Sequence, residues 1–116
     1  MKAFVVIASL LGLMIAQVQV QAQAQAQEEE QGNPIRRGQA LAARFCGQCH
    51  AIGATGRRSP RPDAPPLRTI GRTYDLDAFA RVLSAGLMPT HPDMPQFKFK
   101  IEDARALRDY LRTIQE

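Results

Sequence analysis

An all-α domain of three helices is the fold class the sequence predicts, on three observations. Apolar residues recur at three- and four-residue spacing in three separate segments, around residues 35–45, 76–83 and 101–114. Two proline-rich stretches, 57–67 and 87–97, lie between those segments and cannot themselves be helical. No segment has a strand pattern with an apolar face to bury. The alternation from Gln17 to Gln31 pairs glutamine with Val or Ala, and glutamine supplies no such face.

The chain opens on what reads as an export signal. Lys2 and the terminal amino group form a small basic region, and Ala3 to Ala16 is uncharged and mostly apolar. Such a run fits the apolar core of a signal peptide (about 7–15 residues) and falls short of a membrane span (about 18 or more). Small residues at cleavage spacing follow, as Val20-Gln21-Ala22 and Ala22-Gln23-Ala24. The signal peptide is therefore placed at residues 1–24, a retained N-terminal anchor being the alternative. Residues 25–32, which include Glu28-Glu29-Glu30, read as a flexible low-complexity leader. One domain remains, at 33–116. A chain of that size buries only about 60–65% of the surface it exposes when unfolded, so it needs an additional staple.

Asn33-Pro34 opens the first helix, with asparagine as cap and proline at the first helical position. Ile35, Gly38, Leu41 and Phe45 share one face. Gly38 costs up to about 1 kcal/mol against alanine in a helix interior. With Ala42 one turn later, it makes a flat strip where another helix backbone can come close.

This helix runs straight into Cys46-Gly47-Gln48-Cys49-His50, a C-x-x-C-H run that uses both cysteines of the chain. The pattern is that of a c-type haem attachment site. Two thiols add across the two vinyl groups of the porphyrin, and two intervening residues let one turn of chain span the gap. The histidine that follows is held beneath the iron, where a neutral imidazole nitrogen serves as the proximal ligand. A haem bonded in this way is also the staple the small domain needs.

The first loop, Arg57 to Leu67, is broken by four prolines. A middle helix begins at Asp75, a good cap, carries Leu76, Phe79, Val82 and Leu83 inward, and ends at Gly86. In the second loop Pro89, Pro92 and Pro95 stiffen the chain and hold the residues before them extended. It supplies the candidates for a sixth iron ligand: Met88, His91 and Met94. The last helix carries Ile101, Ala104, Leu107, Leu111 and Ile114 in one stripe, with Tyr110 beside it and Arg105, Asp109 and Arg112 facing away.

With C-x-x-C-H after a short helix, a proline-rich loop, Met94-Pro95-x-Phe97 and a final Tyr-Leu helix, the domain resembles the class I cytochromes c. Gly86 through Phe97 is similar to the small bacterial single-haem members. The resemblance implies the cytochrome c fold, three main helices wrapped around one covalently attached haem. It implies His50 and Met94 as the axial ligands. It also implies that the carbonyl of Pro65 accepts a hydrogen bond from the proximal imidazole, a contact that fixes the ring orientation. The glycine of the family's first helix corresponds to Gly38 and the aromatic of its last helix to Tyr110. The chain departs from the pattern at Ala42, where the family often has an aromatic.

The function this implies is a soluble periplasmic carrier of single electrons, monomeric, with both axial positions filled and therefore not itself an enzyme. A dedicated haem c subunit of a periplasmic oxidoreductase is the alternative. Expected partners are redox proteins: a quinol-oxidising complex or dehydrogenase on one side, an oxidase or reductase on the other. A membrane would be met only through such complexes. Of the 15 Lys+Arg and 11 Asp+Glu, only Lys2 and Glu28–Glu30 precede Asn33, so residues 33–116 carry 14 against 8, a formal +6. A basic face would steer an acidic partner, or is simply a solvated surface. No aromatic-basic pattern points to nucleic acid. A thiol–disulfide enzyme would want a preceding strand that is missing here. A zinc site from Cys46, Cys49, His50 and His91 would use adjacent residues that make poor tetrahedral partners.

Overall fold

In the computed structural model, which describes residues 19–23, 25, 32–86 and 92–116, Asn33 starts the domain by capping its first helix. Its Oδ1 accepts hydrogen bonds from the backbone N–H groups of Ile35 (3.0 Å) and Arg36 (3.3 Å). Pro34, which has no N–H to leave unpaired, takes the first helical position. The resulting helix, α1, spans Pro34–Phe45. A turn of 3-10 helix follows at Leu67–Arg72, then α2 at Leu76–Ala85 and α3 at Ile101–Ile114. No strand forms among the described residues. The all-α class is thus what the chain adopts.

The chain divides into two units, Met1–Gly32 and Asn33–Glu116. In the first, residues 19–23, at the end of the expected signal peptide, are helical with exposed side chains. Glutamine and alanine are both good helix formers, which accounts for the local structure without any packing. Most of the segment read as a signal peptide lies outside the described residues. Among the described residues, no helix is long and apolar enough to cross a membrane.

In the second unit α3 is the central element: α1 packs against it, α2 packs against it, and the 3-10 turn touches it. The α1–α3 crossing is made at Gly38. A Cβ there would lie 2.6 Å from the carbonyl carbon of Ala106 and 2.7 Å from Tyr110 Cβ, with the Ala106 oxygen nearer still. Ala42, one turn on, is fully buried. Arg37 Nε, beside the crossing, donates to Asp103 Oδ1 at 2.8 Å. The core gathers Leu67, Ile70 and Leu83 onto Ala104, Leu107, Tyr110, Leu111 and Ile114 of α3.

α2 is capped by Asp75, whose Oδ1 accepts from Ala78 N at 2.7 Å, and it ends at Gly86 with φ +110°, a backbone region that favours glycine. Three residues assigned inward by periodicity are in fact substantially exposed: Ile35 (41%), Val82 (44%) and Ile101 (43%). Ile35 and Ile101 lie in the first turns of α1 and α3, beyond the crossing, whereas Val82 faces a cavity. The 3-10 turn was not anticipated. It is held from the far end of the chain by Gln115, whose Oε1 accepts from Gly71 N (2.7 Å) and whose Nε2 donates to the carbonyls of Leu67 (3.0 Å) and Leu111 (2.9 Å).

Candidate functional site

The end of α1 delivers the cysteine motif. Cys46 N and Gly47 N both donate to Ala42 O, and Cys49 N and His50 N both donate to Cys46 O, so the motif is wound as further turns on the helix. Cys46 and Cys49 form no disulfide with one another. Burial, and secondarily the neighbouring Cys49, pushes the Cys46 thiol up to about 11. A catalytic dithiol needs the reverse, a thiolate held at low pKa. The environment of Cys46 therefore disfavours thiol–disulfide chemistry.

His50 is oriented by one contact. Its Nδ1 lies 2.7 Å from the carbonyl oxygen of Pro65. A carbonyl only accepts, so Nδ1 carries the proton and Nε2 keeps its lone pair for a metal. The loop that brings Pro65 here is knit to the motif by backbone bonds: Arg61 N donates to Cys49 O (3.1 Å) and Leu67 N to Ala51 O (2.9 Å). Ser59 Oγ accepts from Ala51 N at 3.0 Å. Tyr110 of α3 reaches the same region, its hydroxyl donating to Ile52 O at 2.6 Å. Burial holds the Tyr110 phenol above its ordinary pKa.

These residues open onto a cavity of about 470 Å³. Cys46, Cys49, His50 and Pro65 line it together with Met94 and Pro95 from the second loop. Leu67, Ile70, Phe79, Val82, Leu83, Leu107 and Leu111 make its walls apolar. The five residues singled out in the sequence are thus brought to one site. Met88 and His91, the other candidates for a sixth ligand, lie outside the described residues.

Sequence reasoning missed two features of this site. Phe45, Phe97 and Phe99 form an aromatic cluster with centroid separations of 5.2–6.0 Å, and Phe99 N donates to Leu83 O at 3.0 Å. That cluster fastens the segment after Met94 to the end of α1. Phe97-x-Phe99 was legible as a pair, but not the partner it packs on. The second is polar: Arg61 Nη2 donates to Asp93 Oδ2 at 2.9 Å, and its Nε reaches Asp63 Oδ1 at 3.4 Å. Opposite charges in the two proline-rich loops were the available signal.

The donor set fits a covalent haem. Two thiols at attachment spacing, an imidazole with its outer nitrogen tied and its inner one free, and a thioether all face one apolar cavity in the size range of ligand sites. Among the described residues no three His, Cys, Asp or Glu side chains are grouped to hold a metal ion.

A family model described as cytochrome c oxidase, cbb3-type, subunit III matches residues 33–111. No curated protein and no solved structure matches the chain.

Proposed function

Because the chain belongs to the family described as cytochrome c oxidase, cbb3-type, subunit III, and so is a monohaem c-type cytochrome that transfers electrons, we propose a specific role for it. It is a soluble periplasmic carrier whose iron is ligated by His50 and Met94. The observation that carries this reading is the convergence of Cys46, Cys49, His50, Pro65 and Met94 on one apolar cavity.

When bound, the haem supplies one-electron exchange between ferric and ferrous iron. The chain's own groups do the rest. Cys46 and Cys49 hold the cofactor through thioether bonds, which prevents its loss outside the cell. His50 would present Nε2 to the metal because the Pro65 carbonyl accepts a hydrogen bond from the proton held on Nδ1. The thioether of Met94 favours the ferrous state relative to a second imidazole. The apolar walls from α2 and α3 exclude water and lower the local dielectric. With His50 and Met94 both holding the iron, no ligand position would be left for a substrate, so the protein would carry electrons without itself being an enzyme.

The decisive experiment is the absorption spectrum of protein made in cells competent for haem attachment, recorded in both oxidation states and after denaturation. Haem that stays with the denatured chain, with a ferric methionine–iron charge-transfer band that Met94→Ala abolishes, is the expected result. Covalent haem without that band would refute Met94 ligation.

The family description names an oxidase subunit, and this favours a second reading as a dedicated haem subunit of a periplasmic oxidoreductase. Stoichiometric co-purification with a membrane complex would establish that reading. Recovery of the protein alone would establish the diffusing carrier.

A further inference from the structure

The geometry points to Arg61 as the positioning residue that holds the stretch around Met94, residues 92–97, against the cavity. This rests on the ligand set proposed above and adds to it the device that maintains it.

Arg61 lies at the meeting of two segments well separated along the chain, the haem-attachment turn and the stretch around Met94. Its backbone N–H donates to Cys49 O at 3.1 Å, which fixes it to the haem-attachment turn, one residue from His50. Its guanidinium donates from Nη2 to Asp93 Oδ2 at 2.9 Å, one residue from Met94. A single residue thus ties the chain beside one axial ligand to the chain beside the other. Arg61, Asp63 and Asp93 all border the cavity. Asp63 sits two residues away in the same loop, so its contact with Arg61 at 3.4 Å aims the guanidinium and does not itself link the two loops. On the far side of Met94, the packing of Phe97 on Phe45 fastens the chain to α1. Met94 is therefore pinned at both flanks, by aromatic packing after it and by the ion pair before it.

The pair is partly exposed, with 41% and 59% of the two side chains accessible, so its effect is modest and reduced by salt. It acts on the loop's opening equilibrium. An exogenous ligand such as imidazole reaches the metal only when Met94 has let go, so its apparent affinity scales with the open fraction.

The test is imidazole titration of the ferric holoprotein, read by loss of the methionine–iron band, for wild type, Arg61→Gln, Asp93→Asn and the double variant. Arg61→Gln should bind imidazole about two- to fivefold more tightly, the range an exposed ion pair provides. The double variant should show less than the sum of the two single effects, which separates this pair from any other contact of Asp93. Arg61→Lys should restore part of the effect, Asp63→Asn should change it less than Asp93→Asn, and about 1 M salt should bring wild type towards Arg61→Gln. A purely structural role would lower the thermal midpoint without this salt-sensitive, non-additive pattern. Equal imidazole affinity in wild type and Arg61→Gln, or strictly additive single effects, would overturn the latch while leaving Met94 ligation standing. A wild-type spectrum lacking the band would overturn both, and is recognised before any variant is made.

Discussion

Replacing Gly38 by alanine sets two effects of opposite sign against each other, and the structure decides between them. In a free helix the change is favourable by about 1 kcal/mol, since glycine loses more backbone freedom than alanine. At the α1–α3 crossing the added Cβ would lie 2.6 Å from Ala106 C and 2.7 Å from Tyr110 Cβ. Carbon atoms in contact prefer about 3.5–4.0 Å, so the two helices must part by about 1 Å. No rotamer change relieves this, because the obstructing atoms are backbone and Cβ. Overpacking of this kind costs about 1–3 kcal/mol, and a rigid obstruction belongs at the upper end. The net expectation is a loss of about 2 kcal/mol after the helix-propensity gain of about 1.

For a domain of this length, that loss lowers the thermal midpoint by about 8–16 °C. The assay is far-UV circular dichroism melting of the haem-loaded protein, with Gly53→Ala as the control. A Cβ at Gly53 would meet nothing nearer than Thr55 O at 4.0 Å. A Gly38→Ala protein that melts within about 2 °C of wild type, or above it, would refute the argument. Propensity would then have outweighed the crossing.

Two further substitutions separate side-chain effects from backbone ones. Tyr110→Phe removes the 2.6 Å hydrogen bond to Ile52 O and should cost about 1 kcal/mol, read by denaturant melts at pH 7. It also carries a pH signature. Because burial raises the folded-state pKa of Tyr110, the unfolded chain loses this proton first. The stabilisation is complete below the ordinary value of about 10 and is lost as pH rises through the raised one. Melts between pH 8.5 and 11.5 should show a smaller alkaline loss in Tyr110→Phe, and an unchanged slope would refute that assignment. Pro65→Ala keeps the carbonyl that accepts from His50 Nδ1 while releasing φ. It should lower stability by about 0.4–1 kcal/mol and leave the reduction potential unchanged. A shifted potential would show that the proline ring, and not its carbonyl oxygen, tunes the site.

Features written within a few residues were legible in the sequence. Asn33 and Asp75 cap helices because each places an oxygen within three residues of the N–H groups it serves, at 2.7–3.3 Å. The cysteine motif needed only its own spacing. The strip of Gly38 and Ala42 announced a close crossing through what it lacks in side chain. Periodicity was less reliable at the ends of helices: it places Ile35 and Ile101 on the right face but says nothing of where the partner helix stops. The 3-10 turn at Leu67–Arg72 escaped for a related reason. Its hydrogen bonds to Gln115 come from 44 and 48 positions away, and a helical pattern carries no trace of a side chain that distant.

The same division runs through the site. Cys46, Cys49 and His50 are positioned by a helix end, so local sequence suffices to find them. Pro65, Arg61 and Asp93 act across loops, and their contacts join residues 15 to 32 positions apart. Proline-rich loops suit that task, since each proline removes freedom that the long-range bonds would otherwise have to overcome. A single ion pair on a flexible loop would be worth little. On a loop already stiffened by Pro92 and Pro95, and fastened beyond them by three phenylalanines, the same pair has few alternative conformations to compete with. Proline spacing in the second loop thus signalled that something there is held, and the fold supplies the residues that hold it.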